Sequence, residues 1–456
     1  MIMLRGASLS ALVAMASLSG ALASFPVGCE PAAHPPALDP TFGGNGYVHA
    51  VTARNAVVLS TIDELSDGKI VVGGNTFGYL GDGLLVGLRY LADGTLDPSF
   101  HGDGIVALNP CHCTGFRGGI AGFRLQEDGS LLFVGSTALR AEPGQKRHEG
   151  IALLRYREDG TRGVEPGDSG IDVVDLEGDY SVRAAAFLAE EEAVLVAGHH
   201  ENRLFVAKVR ERGTDLDTTF AEGRGWVAPI ASGSASGAGA MAVDDDGRIV
   251  IAGWIEDDRD RDAMVMRLLP DGAPDESFGA RGVVRLARAG SQQARGITLL
   301  SDGRILVGGD TNDADARRFL LLRLLPGGEL DPSFGDAGIA LAPLGRADPY
   351  QTHRVSMVTM QDGRLLVGSN AVVDAETSRP VIARFLSDGS LDPTFGEGGE
   401  ATFAVKKGPD WVPSPKYGHS EETQLTTLSL TRDGKLLVTG TWSAYPFQGF
   451  LARLLL

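Results

Sequence analysis

Cysteine is scarce: there are three in 456 residues, Cys29, Cys111 and Cys113. Three thiols cannot build a disulfide framework, and an odd number leaves one over unless it is modified. Cys111-His112-Cys113 offers soft ligands for Zn or Cu, but two thiolates and one imidazole do not close a structural site, so a loop disulfide is expected. Basic charge is also short. Against 59 acidic side chains stand 41 basic ones, a formal net charge of −18. No nucleic-acid partner is expected, because affinity for a phosphate backbone rests on Lys and Arg displacing counterions. After the first two dozen residues no apolar run is long enough to span a bilayer, so no transmembrane segment is expected. Amphipathic periodicity near 3.6 is missing as well, which removes an HExxH helix and any phosphate-cradling glycine loop that opens a helix. The nearest thing to a nucleophile elbow, Gly233-Ser234-Ala235-Ser236-Gly237, has Ala in the nucleophile slot.

What is present begins with a leader. Arg5 precedes an uncharged stretch rich in Ala and Leu from Ala7 to Ala23, ending in Ala21-Leu22-Ala23. One basic residue, a short apolar core and small residues at the cleavage positions read as a secretory signal peptide over residues 1–23. The mature chain is therefore expected to be exported to the periplasm, the cell surface or the medium. Cys29 follows Pro26-Val27-Gly28, a loose lipoprotein-type box, so lipid anchoring at Cys29 is the alternative to free export.

The rest of the chain repeats with a period of about 60 residues. One block reads Asp-Gly, a basic or small residue, four apolar residues and small residues. It stands at Asp67, Asp128, Asp246, Asp302, Asp362 and Asp433, with a degenerate copy at Glu191. A second block falls between these copies: LDPTFGGNG at Leu38, LDPSFHGDG at Leu96, LDTTFAEGRG at Leu216, PDESFGARG at Pro274, LDPSFGDAG at Leu330 and LDPTFGEGG at Leu391. The seventh slot, Arg162 to Gly170, has lost the Phe.

Each unit parses into four short strands rich in Val, Ile and Leu. In the fifth unit they are roughly Arg295–Leu300, Arg304–Asp310, Phe319–Leu325 and Gly338–Leu341. Asp-Gly between the first two supplies the positive φ of a tight hairpin. An all-β chain with four strands per repeat and seven repeats is a seven-bladed β-propeller of four-stranded antiparallel blades. Residues 24–37 read as an N-terminal linker and 38–456 as the propeller. A strand near Tyr47–Val51 has no preceding partners, and Phe450–Leu456 lacks a fourth strand, so the two should pair and close the ring.

The two blocks together resemble the delta-60 repeat family of exported bacterial proteins, whose strand pattern is similar to that of NHL-type propellers. The resemblance covers the whole mature chain. It implies a β-propeller, often in exported or surface proteins, and no catalytic residues.

The repeated residues read as structure. In Leu330-Asp331-Pro332-Ser333-Phe334-Gly335 the carboxylate can accept backbone N–H bonds just ahead, and Pro332 presets the turn. The same roles fall to Asp39, Asp97 and Asp392, while Phe42, Phe100, Phe220, Phe278, Phe334 and Phe395 are expected to plug the space between sheets. No cofactor is expected. Ca²⁺ on the Asp ring or on the acidic tracts Glu256–Asp262 and Asp310–Asp315 is the alternative.

Strand parity then separates two faces. Uniform Asp-Gly turns and LDPSFG blocks share one. The connections that vary in length share the other: Asn109–Gly119, Thr137–Gly150, Glu256–Asp262, Pro343–Thr352 and Lys406–Glu422. Binding residues gather on variable loops held by a rigid scaffold, which makes this the candidate working face. Seven of the nine histidines fall at or beside it, as do Trp254, Trp411 and Trp442. The candidate binding residues are His199, His200, Trp254, Asp310, Trp411 and Trp442. The expected protein is an exported, monomeric, non-enzymatic binding or scaffold module for a protein, peptide or glycan. The alternative is a metal-assisted hydrolase or lyase at the channel mouth, for which His199-His200 is the best metal candidate.

Overall fold

A computed structural model describes residues 36–50, 56–77, 84–108, 119–126, 128–138, 149–163, 171–176, 178, 180–211, 215–230, 234–257, 260–288, 290–313, 316–344, 355–372, 378–405, 423–442 and 448–456. Among these the chain forms seven antiparallel sheets. The only helical element among them is one 3-10 turn, Ala189–Glu191. The fold is an all-β, seven-bladed propeller.

Blade five shows the unit. Its strands are Ser291–Leu299, Ile305–Asp313, Ala316–Leu324 and Ile339–Pro343, each hydrogen-bonded to the next. Gly303, at φ +82°, turns the chain between the first two, a conformation that favours glycine. The innermost strands of blades one to seven are Ala56–Glu64, Ile120–Leu125, Tyr180–Leu188, Ala235–Val243, Ser291–Leu299, Ser356–Thr359 and Thr423–Leu430. Each touches its two neighbours in turn, and the last returns to the first, so the ring is closed.

Closure comes from the chain ends. Tyr47–Ala50 pairs antiparallel with Gln448–Leu455, with Tyr47 opposite Ala452 and Ala50 opposite Gly449. This is the strand exchange expected from the pattern. Ala37 and Leu38 add two further pairs, to Leu455 and Leu454, so the pairing starts within the segment read as linker.

The core is distributed over seven seams. Successive strand residues point to opposite faces, so Val71 and Leu85 pack toward blade two while Val72 and Val86 pack toward blade seven. Both faces of each sheet are dry, which is why the strands read as continuous apolar runs. All six LDPSF-type phenylalanines are buried, at most 1% exposed. Their rings press on the next blade: a Cβ on Gly389 of blade six would lie 2.9 Å from the Phe334 ring.

In five of the blades a clamp stands at the seam. In blade five, Asp331 Oδ1 accepts from the Ser333 N–H at 2.9 Å and from its hydroxyl at 2.7 Å. Arg323, on the third strand, donates from Nε to Asp331 Oδ2 at 2.7 Å and from NH1 to the Ser387 carbonyl of blade six at 2.6 Å. Its guanidinium carbon lies 4.6 Å from the Phe334 centroid. The same arrangement recurs as Arg89–Asp97–Phe100, Arg267–Asp275–Phe278, Arg384–Asp392–Phe395 and, across the chain ends, Arg453–Asp39–Phe42. The basic residue after Asp-Gly adds a second cation: Arg304 reaches Asp331 at 3.1 Å and Lys435 reaches Asp39 at 3.3 Å.

The irregular repeats change the clamp predictably. Blade two lacks the Asp, and Arg155 bonds Asp172 of the outer strand instead. Blade three has Lys208, which pairs with Asp217 at 3.3 Å and with Glu191 from the degenerate turn.

Candidate functional site

The inner strands carry a feature that the sequence pattern does not announce. In six blades the register between first and second strands slips by one residue, at Ser60, Ala121, Arg183, Gly239, Arg295 and Thr426. Each is a β-bulge, which bends the strand and re-aims a side chain. In these six blades the bulge explains the glycine that ends the apolar run of the repeat. A Cβ on Gly309 would lie 2.0 Å from the Gln293 carbonyl oxygen, and one on Gly74, Gly135, Gly198, Gly253 or Gly440 would lie between 1.9 and 2.2 Å from the equivalent oxygen. Only glycine lets the bulged backbone come that close.

All six bulge residues line a central cavity of about 1280 Å³. Its described lining comes from the inner strands and from the ends of second and third strands nearest the variable connections, such as Asn75, Ser136, His199, Asn312 and Arg317, with Asn202 from the turn between them. The cavity therefore belongs to the variable side of the ring.

Charge around it is lopsided. Every charged side chain among the described lining residues lies in blades three to five: Arg183, Arg261, Arg295, Arg317 and Asp310, with His199 beside them. Blades six, seven, one and two contribute uncharged groups, including Ser60, Asn75, Ser136, Ser356, Thr426 and Thr427. Arg295 is held by Asp310 Oδ1 at 2.8 Å and by Gln293 Oε1 at 2.6 Å. Arg317 shares Asp310 through Oδ2 at 3.3 Å. Arg261 donates to Glu256 at 2.8 Å, and its guanidinium carbon lies 4.0 Å from the Trp254 centroid.

Of the residues singled out from sequence, the cavity brings together His199, Trp254 and Asp310. His200 is not with them. As the next residue on its strand it points to the opposite face, where it packs on Tyr180 and Trp226 at 6.1 and 5.1 Å between ring centroids. His199-His200 therefore does not present two imidazoles to the channel. Trp442 ends the second strand of blade seven. Trp411 lies outside the described residues, as do Cys29, Cys111 and Cys113. Among the described residues no three His, Cys, Asp or Glu side chains gather so as to hold a metal ion, and no helix is long and apolar enough to cross a membrane.

Sequence reasoning missed the arginines. Those of the clamps stand at one place in each third strand, at Arg89, Arg155, Arg267, Arg323, Arg384 and Arg453, with Lys208 in blade three. That recurrence was available as a signal. Arg183 and Arg295 had only an indirect one, the recurring glycine on the facing strand.

Among curated proteins none matches this chain. Solved structures with a similar fold include a protein of unknown function from Dyadobacter fermentans DSM 18053, at 12% identity and a TM-score of 0.45 over 90% of this chain and 97% of that one. The β-propeller domain of Nup133 from Vanderwaltozyma polyspora aligns at 8% identity and a TM-score of 0.42, over 90% and 100%. The polysaccharide lyase Uly1 aligns at 11% identity and 0.42, over 89% and 90%. Within the chain, residues 65–100, 245–278, 300–334 and 361–395 match a family described as a β-propeller domain of unknown function, DUF5122, which this chain resembles over those four stretches.

Proposed function

We propose that the protein is an exported, non-enzymatic binding module whose ligand seats in the mouth of the central channel on the side of the variable connections. The observation that carries this reading is the ring of bulges. Six blades each aim one inner-strand residue into a single cavity, and the second and third strands add hydroxyl, amide and guanidinium groups around its mouth. Concave sites with a few convergent polar groups are where ligands bind. Seven seams of buried apolar residues, five of them with an Arg–Asp clamp, hold those groups in place, so little ordering remains to be done on binding. The leader-like first 23 residues support export.

The test is a binding screen of the purified protein on immobilised oligosaccharides and peptides, beside an Ala121→Trp variant that fills the cavity from a bulge position. The expected result is at least one specific binder, lost in the variant while its melting temperature is kept. Binding that ignores the variant, or no binder at all, overturns the reading. Release of new reducing ends from a bound sugar overturns its non-enzymatic part.

A further inference from the structure

We infer that the channel takes an acidic oligosaccharide, whose carboxylate or sulfate groups lie on the arginines of blades three to five and whose hydroxyls meet the uncharged wall opposite. The inference rests on the channel-binding reading above and names the ligand class.

It starts from Arg183. This residue occupies the bulge of blade three, is exposed into the cavity, and its guanidinium makes no hydrogen bond or ion pair among the described residues. The chain carries 59 carboxylates against 41 basic groups. In such a chain an arginine facing a shared cavity without a carboxylate stands out. Two blades on, Arg295 occupies the equivalent bulge, its orientation fixed by Asp310 and Gln293. Between them the blade-four bulge is Gly239, where a Cβ would lie 2.3 Å from the Ala294 carbonyl oxygen. Blade four therefore sets no side chain at that level between the two arginines. Arg261 stands nearby, laid on Trp254 and tied to Glu256.

A planar fork of donors suits carboxylate and sulfate oxygens, which it meets two at a time. Arg261 and Arg295 are held before any ligand arrives, so ordering costs less when one does. The opposite wall decides between sugar and peptide. Ser356 and Thr427 can both donate and accept, as a hydroxyl-rich ligand requires, while the Ser60 hydroxyl, which donates to the Ile120 carbonyl at 2.7 Å, is left to accept. Among the described lining residues Trp254 is the one Trp, Tyr or Phe, and it is already covered: the Arg261 guanidinium lies 4.0 Å from its centroid, and a Cβ on Gly237 would come within 3.0 Å of the indole. What the described lining offers is recognition by charge and hydrogen bonding.

Isothermal titration calorimetry tests this with four probes of equal length: hexagalacturonate, a sulfated maltohexaose, neutral maltohexaose and hexaglutamate. One or both acidic sugars should bind, the better one revealing whether carboxylate or sulfate is preferred, and the affinity should fall as salt screens the charges. Arg183→Gln should weaken binding about tenfold or more, the scale of a lost hydrogen bond to a charged group, without changing the melting temperature. Equal binding of the neutral sugar, tighter binding of hexaglutamate, an unaffected Arg183→Gln variant, or no binding of any probe overturns the inference. Where a neutral sugar or peptide binds and Ala121→Trp abolishes it, only the ligand class has failed. Where the wider screen yields no binder, the channel reading itself has failed.

Discussion

The clamp that joins the chain ends is the sharpest place to perturb the ring. Arg453 donates from Nε to Asp39 Oδ2 at 2.8 Å and from NH2 to the Thr41 hydroxyl at 3.0 Å, and it bonds the Ala92 carbonyl of blade one. Its side chain is 10% exposed and that of Asp39 is 3%. Removing one partner of a buried pair costs about 3–5 kcal/mol, because the other charge stays buried and uncompensated. Lys435, 3.3 Å from Asp39, softens the loss, so Arg453→Ala should cost about 3 kcal/mol, at the low end of that range. Arg384→Ala removes the same clamp inside the ring, where no chain end is involved, and serves as the reference. Urea unfolding of both variants, with Asp39→Asn completing a double-mutant cycle on Arg453, gives the numbers. The reasoning predicts similar costs at the two sites and a coupling of about 1–3 kcal/mol between Arg453 and Asp39. A cost below about 1 kcal/mol at Arg453 beside a full cost at Arg384 would refute closure by the terminal strand in solution.

Phe334→Ala should cost about 3–5 kcal/mol in the denaturant midpoint, since the ring is fully buried between blades five and six; a negligible change would place it outside the seam. Gly309→Ala should cost about 1–3 kcal/mol through its clash with the bulged Gln293 carbonyl, and an unchanged midpoint would mean the bulge is not held. For pH, burial pushes Asp39 up, but its hydrogen bonds from Thr41 and the Arg453 charge outweigh that and bring it down to about 2. Asp97, Asp217, Asp275, Asp331 and Asp392 are lowered in the same way. A depressed carboxylate contributes stability that is present above its unfolded value and lost as pH falls through its folded one. Burial raises Asp63, Glu211 and Glu400, which act in the opposite sense above that range. The urea midpoint should therefore fall most steeply between about pH 4 and pH 2, and Asp39→Asn should flatten part of that fall; a loss concentrated between pH 7 and 5 would contradict the clamp.

The fold was legible because every clue to it is short-range. Asp-Gly marks a hairpin within a few residues, and the apolar runs mark strands dry on both faces. Their repetition gives the blade count. The candidate site was legible only in part. His199, Trp254 and Asp310 were found by asking which polar residues end strands on the variable side, and they do line the cavity. The same question picked His200, because adjacency in sequence was taken as adjacency in direction. On a strand it means the reverse.

Sequence alone determined the strands, the turns, the number of blades and the division into a regular and a variable face, since each follows from local backbone preference repeated at a fixed interval. The tertiary structure decided which residues meet. Arg183, Arg261 and Arg295 come from three blades and share a cavity because a closed ring brings the inner strands around a common axis. Within six of the inner strands, one slipped hydrogen-bond register turns a single residue toward that axis. That slip depends on pairing with a glycine on the next strand, a partner that strand periodicity does not reveal.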